Sequence, residues 1–73
     1  MLRDHGYLLD IVNEARLAQS FVQDLDYEAF QADILRQRAV VRNIEIIGEA
    51  ARRVTTGFRQ QHPELPWREM IGM

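Results

Sequence analysis

Asn43 is the residue of this chain whose position most needs a chemical reason. It falls inside an apolar arc of Val40, Ile44 and Ile47 at helical spacing, where a side-chain amide must find hydrogen-bond partners. Two readings follow: an interhelical hydrogen bond that sets register, or a polar group lining a site at a helix interface. Around it, Arg38, Arg42, Glu45, Glu49, Arg52 and Arg53 occupy the opposite face. Arg42 precedes Glu45 by three residues and Glu49 by seven, and Glu49 in turn precedes Arg52 and Arg53 by three and four. This face is either solvated and internally paired or a polar cluster presented to a partner subunit. His5 and His62 are the two residues able to move protons near neutral pH, but they stand over fifty residues apart with no ligand cluster around either. We therefore expect no metal site. No glycine-rich phosphate loop and no serine–histidine–acid arrangement is present, so no cofactor is expected either.

The element that must position Asn43 runs from about Asp33 to Phe58. Its apolar residues Val40, Ile44, Ile47, Ala51, Val54 and Phe58 alternate steps of four and three, the pattern of one helix face. Asp33 is a suitable N-cap, and no proline interrupts the run. Gly48 sits mid-helix, a cost of about 0.5–1 kcal/mol that close approach of another helix would offset, with Ala50 and Ala51 beside it. Ahead of this spine, Asp4 can cap a first helix reaching about Asp24. Its stripe is Leu8, Ile11, Ala15, Ala18, Val22 and Leu25, with Tyr7, Val12 and Phe21 widening it and Asn13, Glu14, Arg16, Gln19 and Gln23 mostly outward. The short connection through Asp26, Tyr27 and Phe30 makes the two helices antiparallel neighbours, with Asp26 capping a turn and the aromatic pair plugging the hairpin end. After Thr55-Thr56-Gly57 the helix should end or loosen, and Pro66 suits the first turn of a third helix carrying Trp67, Met70 and Ile71 inward. The fold class is all-α: an antiparallel helical hairpin or up-down bundle with the start of a third helix.

Composition bounds the remainder. Seventy-three residues make one small domain, whose core is marginal unless something adds to it. With no cysteine, disulfides and thiolate metal sites are unavailable, and self-association as a homodimer or higher oligomer is the expected supplement. No signal peptide is visible and no apolar run approaches the roughly 20 residues of a membrane span, so a soluble, cytoplasmic protein without membrane contact is expected. The net charge is −2, split between seven acids and two arginines in residues 1–33 and seven arginines and four acids in residues 34–73. All nine basic residues are arginine. That composition permits phosphate recognition but is weak evidence for nucleic acid by itself.

Two blocks carry a family resemblance: Arg42-Asn43-x-Glu45-Ile46-Ile47-Gly48-Glu49-Ala50-Ala51, and Pro66-Trp67 through Ile71-Gly72-Met73. Together with the first helix they resemble the HepT-like branch of the HEPN superfamily across essentially the whole chain. The resemblance implies a helical bundle that dimerises face to face. It also implies a toxin that cuts RNA without a metal ion, restrained by a minimal nucleotidyltransferase antitoxin.

In that family an arginine and an asparagine follow the equivalent of Ile71-Gly72-Met73, then a histidine, then the tyrosine that receives AMP. The arginine and histidine are the nuclease motif, so residues 1–73 read as a C-terminally incomplete HepT-like domain, inactive alone, with no catalytic residue within the chain. His5 and His62 do not match the motif histidine. The resemblance leaves supporting parts to this chain: Asn43 and Glu49 to orient the motif side chains, and Arg42 to contact phosphate. The alternative is a non-enzymatic helical module for dimerisation or partner binding.

Overall fold

The computed structural model describes residues 2–72. Among them are five helices: α1 Leu2–Val22, α2 Tyr27–Gln31, α3 Ile34–Arg53, α4 Thr56–Gln61 and α5 Trp67–Ile71, with no strand. The fold is all-α, as expected, and α1 packs against α3 as an antiparallel hairpin. Three cross-links set the register. Asp4 reaches Thr55, Glu14 meets Asn43, and the Arg36 guanidinium donates to the Phe21 carbonyl at 3.4 Å.

Capping explains most of the boundaries. The Asp26 carboxylate accepts from the Ala29 N–H at 2.8 Å and starts α2; Asp33 accepts from the Arg36 N–H at 3.0 Å and starts α3. Arg52 and Arg53 in the last turn of α3 oppose its negative dipole end. The Gln37 amide donates to the carbonyls of Phe30 and Gln31 at 2.8 and 2.6 Å, tying the connection to α3.

The spine is shorter than its periodicity predicts. It ends at Arg53 rather than near Phe58, because Val54 and Thr55 are extended, at φ −64°, ψ 135° and φ −62°, ψ 149°. Asp4 meets the chain at this break. It does not serve as the cap of α1 but lies within its first turn, and its carboxylate accepts from the Thr55 N–H at 2.9 Å and the Thr55 hydroxyl at 2.7 Å. Thr55 Oγ1 in turn accepts from the Phe58 N–H at 3.2 Å and caps α4. The apolar spacing carries on through the break, since Val54 is fully buried and Phe58 half-buried, so periodicity alone extends the helix across it.

The core sits at this end. Ile47, Ala50, Ala51, Val54 and Trp67 are its buried apolar residues, and Gly48 is buried among them. Trp67 opens α5 directly after Pro66, as expected, and its indole N–H donates to the His62 carbonyl at 2.8 Å. Phe58 stacks on His62 with ring centroids 4.4 Å apart and meets Trp67 edge-on at 6.2 Å. The Arg52 guanidinium donates to the Ile71 carbonyl at 3.1 Å and fastens α5 to α3.

The other end is thin. Tyr27 is 74% exposed and does not plug the hairpin; only Phe30 is half-buried there. Tyr27 stands at the first position of α2, where its hydroxyl accepts from the Gln31 side-chain amide at 3.1 Å on the surface. The radius of gyration is 13.9 Å, whereas a compact chain of this length would have about 11 Å. Ile34, Leu35 and Val41 are 62, 82 and 55% exposed on this half of α3.

Candidate functional site

The polar stripe of α3 and the first turns of α1 enclose an open groove of about 270 Å³. Tyr7 and Asp10, three apart on α1, form one wall. Arg42, Ile46, Glu49, Ala50 and Arg53, spaced as one helix stripe, form the other. Two of the three residues singled out from the sequence, Arg42 and Glu49, therefore share one groove. Glu49 pairs with Arg53 at 2.9 Å, one of the pairings that the spacing predicts. Both side chains are about half exposed, so this pair contributes only a few tenths of a kcal/mol and serves to orient Glu49. Arg42 has no ion-pair partner among the described residues, and its guanidinium is available to an incoming anion.

Asn43 lies elsewhere. It is 5% exposed, and its Nδ2 donates to Glu14 Oε2 at 2.6 Å across the α1–α3 interface. The register-setting hydrogen bond foreseen for Asn43 is thus present. Glu14 corrects an expectation: it is half-buried and facing α3, not outward. Position 14 stands three residues past Ile11 and four before Ala18, on the edge of the apolar stripe. A polar residue at such an edge turns inward when the facing helix offers a donor, and Asn43 does. The Oδ1 atom of the same amide is buried without a hydrogen-bond partner.

His62 is built into structure. Its ring stacks on Phe58, its Nδ1 lies 3.1 Å from Glu64 Oε2, and its carbonyl holds Trp67. The Glu64 carboxyl is lowered from its usual 4.5 by its own backbone N–H first and by the His62 ring second. His5 is exposed on α1. No three of the described histidine and acidic side chains come together as a metal-binding group. No helix among the described residues is long and apolar enough to cross a membrane.

A second, more apolar groove of about 590 Å³ runs along the thin end, between Tyr27 and Phe30 on one side and Val40, Val41 and Ile44 on the other. The spacing of Tyr27 and Phe30 is that of a core pair, which hides this surface in the sequence.

Comparison with known proteins bears on what these grooves serve. A family model described as "Ribonuclease HepT-like" matches residues 11–73. The "Probable ribonuclease HepT" of Thermococcus cleftensis is 43% identical over 74 residues, covering 100% of this chain and 67% of the relative. "Putative RNase MJ1380" of Methanocaldococcus jannaschii is 40% identical over 68 residues, covering 93% of this chain and 62% of the relative. "Putative RNase TTE0752" of Caldanaerobacter subterraneus is 39% identical over 67 residues, covering 92% and 60%. The chain thus spans 60–67% of the length of these three relatives. No solved structure gives a significant match. With the second half of α1, the polar stripe of α3 and the Pro66–Trp67 junction all within residues 11–73, the chain belongs to the ribonuclease HepT-like family.

Proposed function

We propose that these residues form the N-terminal scaffold of an RNA-cleaving toxin whose reacting arginine and histidine lie outside the 73 residues. The observation that carries this reading is the α3 stripe of Arg42, Glu49 and Arg53 facing an open groove in a chain of a ribonuclease family. Metal-free cleavage of RNA needs a proton taken from the 2′-hydroxyl, charge stabilised on the phosphorus centre, and a proton given to the leaving oxygen. A histidine and an arginine can supply these steps.

The groove contributes around them. Arg42 offers a bidentate contact to phosphate. Glu49, steadied by Arg53, accepts a hydrogen bond from the incoming arginine or histidine. Asn43 keeps α1 and α3 in register beneath. The resemblance adds a minimal nucleotidyltransferase as the restraining partner and the cytoplasm as the location. The single HepT-like domain would then be completed by residues beyond these, and the isolated 73 residues would be inactive.

The test uses the full-length product of the native gene, with its intact mass measured. Cleavage of a generic RNA should persist in EDTA, and the 73-residue chain should not cleave. Arg42→Ala should weaken RNA binding about tenfold and reduce its salt dependence by about one counterion. Cleavage by the 73 residues alone, or its loss in EDTA, would sink the proposal.

A second reading is favoured by the exposed apolar surface. The groove beside Tyr27 and Phe30, with Ile34, Leu35 and Val41 exposed on the same half of α3, presents several apolar side chains to solvent, as interaction surfaces do. As a non-enzymatic module, the hairpin would use this face to pair with a second copy. The dimer and the nuclease are compatible, and the face serves both readings.

A further inference from the structure

We infer that Tyr7 and Asp10 read one guanine base of a nucleotide whose phosphate lies on Arg42. All three line the same open groove, and Asp10 and Arg42 are both exposed to solvent there. Among the described residues these two opposite charges form no ion pair, either with each other or with a third group. A ligand with hydrogen-bond donors at one end and negative charge at the other satisfies both at once. The antiparallel register orders the groups along the groove. Arg42 stands at the Glu14–Asn43 end, Tyr7 towards the Asp4–Thr55 end, and Asp10 between them. A nucleotide has the same order of parts: phosphate, then the donor edge of the base, then its flat face. The two cross-links, at 2.6 and 2.9 Å, bracket Tyr7 and Asp10, so α1 is held against sliding along α3 beneath a bound base.

The half-buried phenol ring of Tyr7 supplies a surface on which a flat heterocycle stacks, and Ile46 and Ala50 add apolar contact. Asp10 decides which heterocycle. A carboxylate only accepts, and it does so through two oxygens side by side. The base edge that matches it carries two adjacent donors, which guanine has in its N1–H and N2 amino group. Adenine and cytosine each set a ring-nitrogen acceptor beside the amino group, and uracil sets its one N–H between two carbonyls. Each of these would bring an acceptor against the second carboxylate oxygen. Asp10 thus favours guanine by a paired bond and disfavours the other three by repulsion. Glu49 lines the groove as well, but Arg53 is paired with it at 2.9 Å.

This inference deepens the nuclease reading and rests on it for the presence of an RNA strand. Its test reads binding without cleavage, so the two fail separately. Fluorescein-labelled UUGUU, UUAUU, UUCUU and UUUUU are titrated with the 73-residue chain, and anisotropy is followed while circular dichroism monitors helicity. UUGUU should bind about tenfold more tightly than the other three. Asp10→Asn, at an exposed position, should erase that preference. Tyr7→Leu should weaken UUGUU about tenfold, whereas Tyr7→Phe, which keeps the stacking ring, should bind as the wild type does. Equal affinity for the four strands, a preference that survives in D10N, or no binding at all would overturn the proposal. The wild-type comparison decides even if a variant folds poorly. Guanosine 5′-monophosphate then serves as competitor. Displacement of UUGUU at comparable concentration assigns the groove to a free nucleotide, and displacement only in large excess assigns it to a base within a strand. A guanine preference in a gene product that does not cleave RNA would remove the nuclease reading and leave this one. Cleavage without the preference would do the reverse.

Discussion

The Asn43 amide donates to the Glu14 carboxylate at 2.6 Å, joining residues 29 apart in sequence at the midpoint of the α1–α3 hairpin. This bond converts two apolar stripes, which could slide past one another by a turn, into one register. Buried polar pairs stabilise little overall but penalise every alternative pairing, because a slip leaves both groups unsatisfied. Asn43→Ala should cost about 2 kcal/mol by thermal or urea unfolding. Asn43→Asp should cost more, about 3 kcal/mol at neutral pH, since it sets two carboxylates face to face. The difference between the two variants should shrink as the solution is acidified and one carboxylate takes a proton. A pH-independent difference would show that charge plays no part.

Asp4 links the first turn of α1 to the break between α3 and α4. The backbone N–H of Thr55, then its hydroxyl, hold the Asp4 carboxyl below its usual 3.8. A carboxyl lowered on folding stabilises the native state fully above its unfolded value, and that contribution drains away as the pH falls through the folded value. The wild type should therefore lose thermal stability progressively below about pH 3.8, and Asp4→Asn should show a flatter profile over that window. Parallel profiles for the two proteins would remove Asp4 from the acid response.

Gly6 lies inside α1, and a Cβ built there meets nothing within 4 Å. Replacing it by alanine narrows the unfolded ensemble without crowding the native one. Gly6→Ala should stabilise the chain by about 0.5–1 kcal/mol, seen as a higher urea midpoint at unchanged slope.

The exposed half of α3 tests the association reading. Val41, 55% exposed, lines the apolar groove, and Leu35, 82% exposed, stands on the same half of α3. Leu35→Lys and Val41→Lys should shift sedimentation from dimer towards monomer and leave the far-ultraviolet helical signal nearly intact, because neither side chain is in the core. A wild-type chain that sediments as a stable monomer at micromolar concentration would end this reading.

Much of the architecture was legible in the residues. The apolar steps of four and three from Val40 to Val54, the caps Asp26 and Asp33, and the short connection between two amphipathic runs are local signals. They determine helix type, most starting points and the antiparallel order, because hydrogen bonding within a helix and the sidedness of its face depend on neighbours in the chain. The entry of Trp67 into α5 directly after Pro66 is local for the same reason. So is the placing of Arg42 and Glu49 on one polar stripe.

What only the tertiary structure decided concerns residues whose partners are distant. Asp4 was free to cap its own helix or to reach across to Thr55, and in the fold it holds Thr55 just past the end of α3 at Arg53, where the apolar period continues undisturbed. Glu14 read as an outward residue until the facing helix brought Asn43 against it. Tyr27 and Phe30, three apart and so on one side of α2, had equal claims on the core, and of the two Phe30 alone is half-buried in the fold. For Asp4 and Glu14 alike, a contact with another element selected between two local solutions.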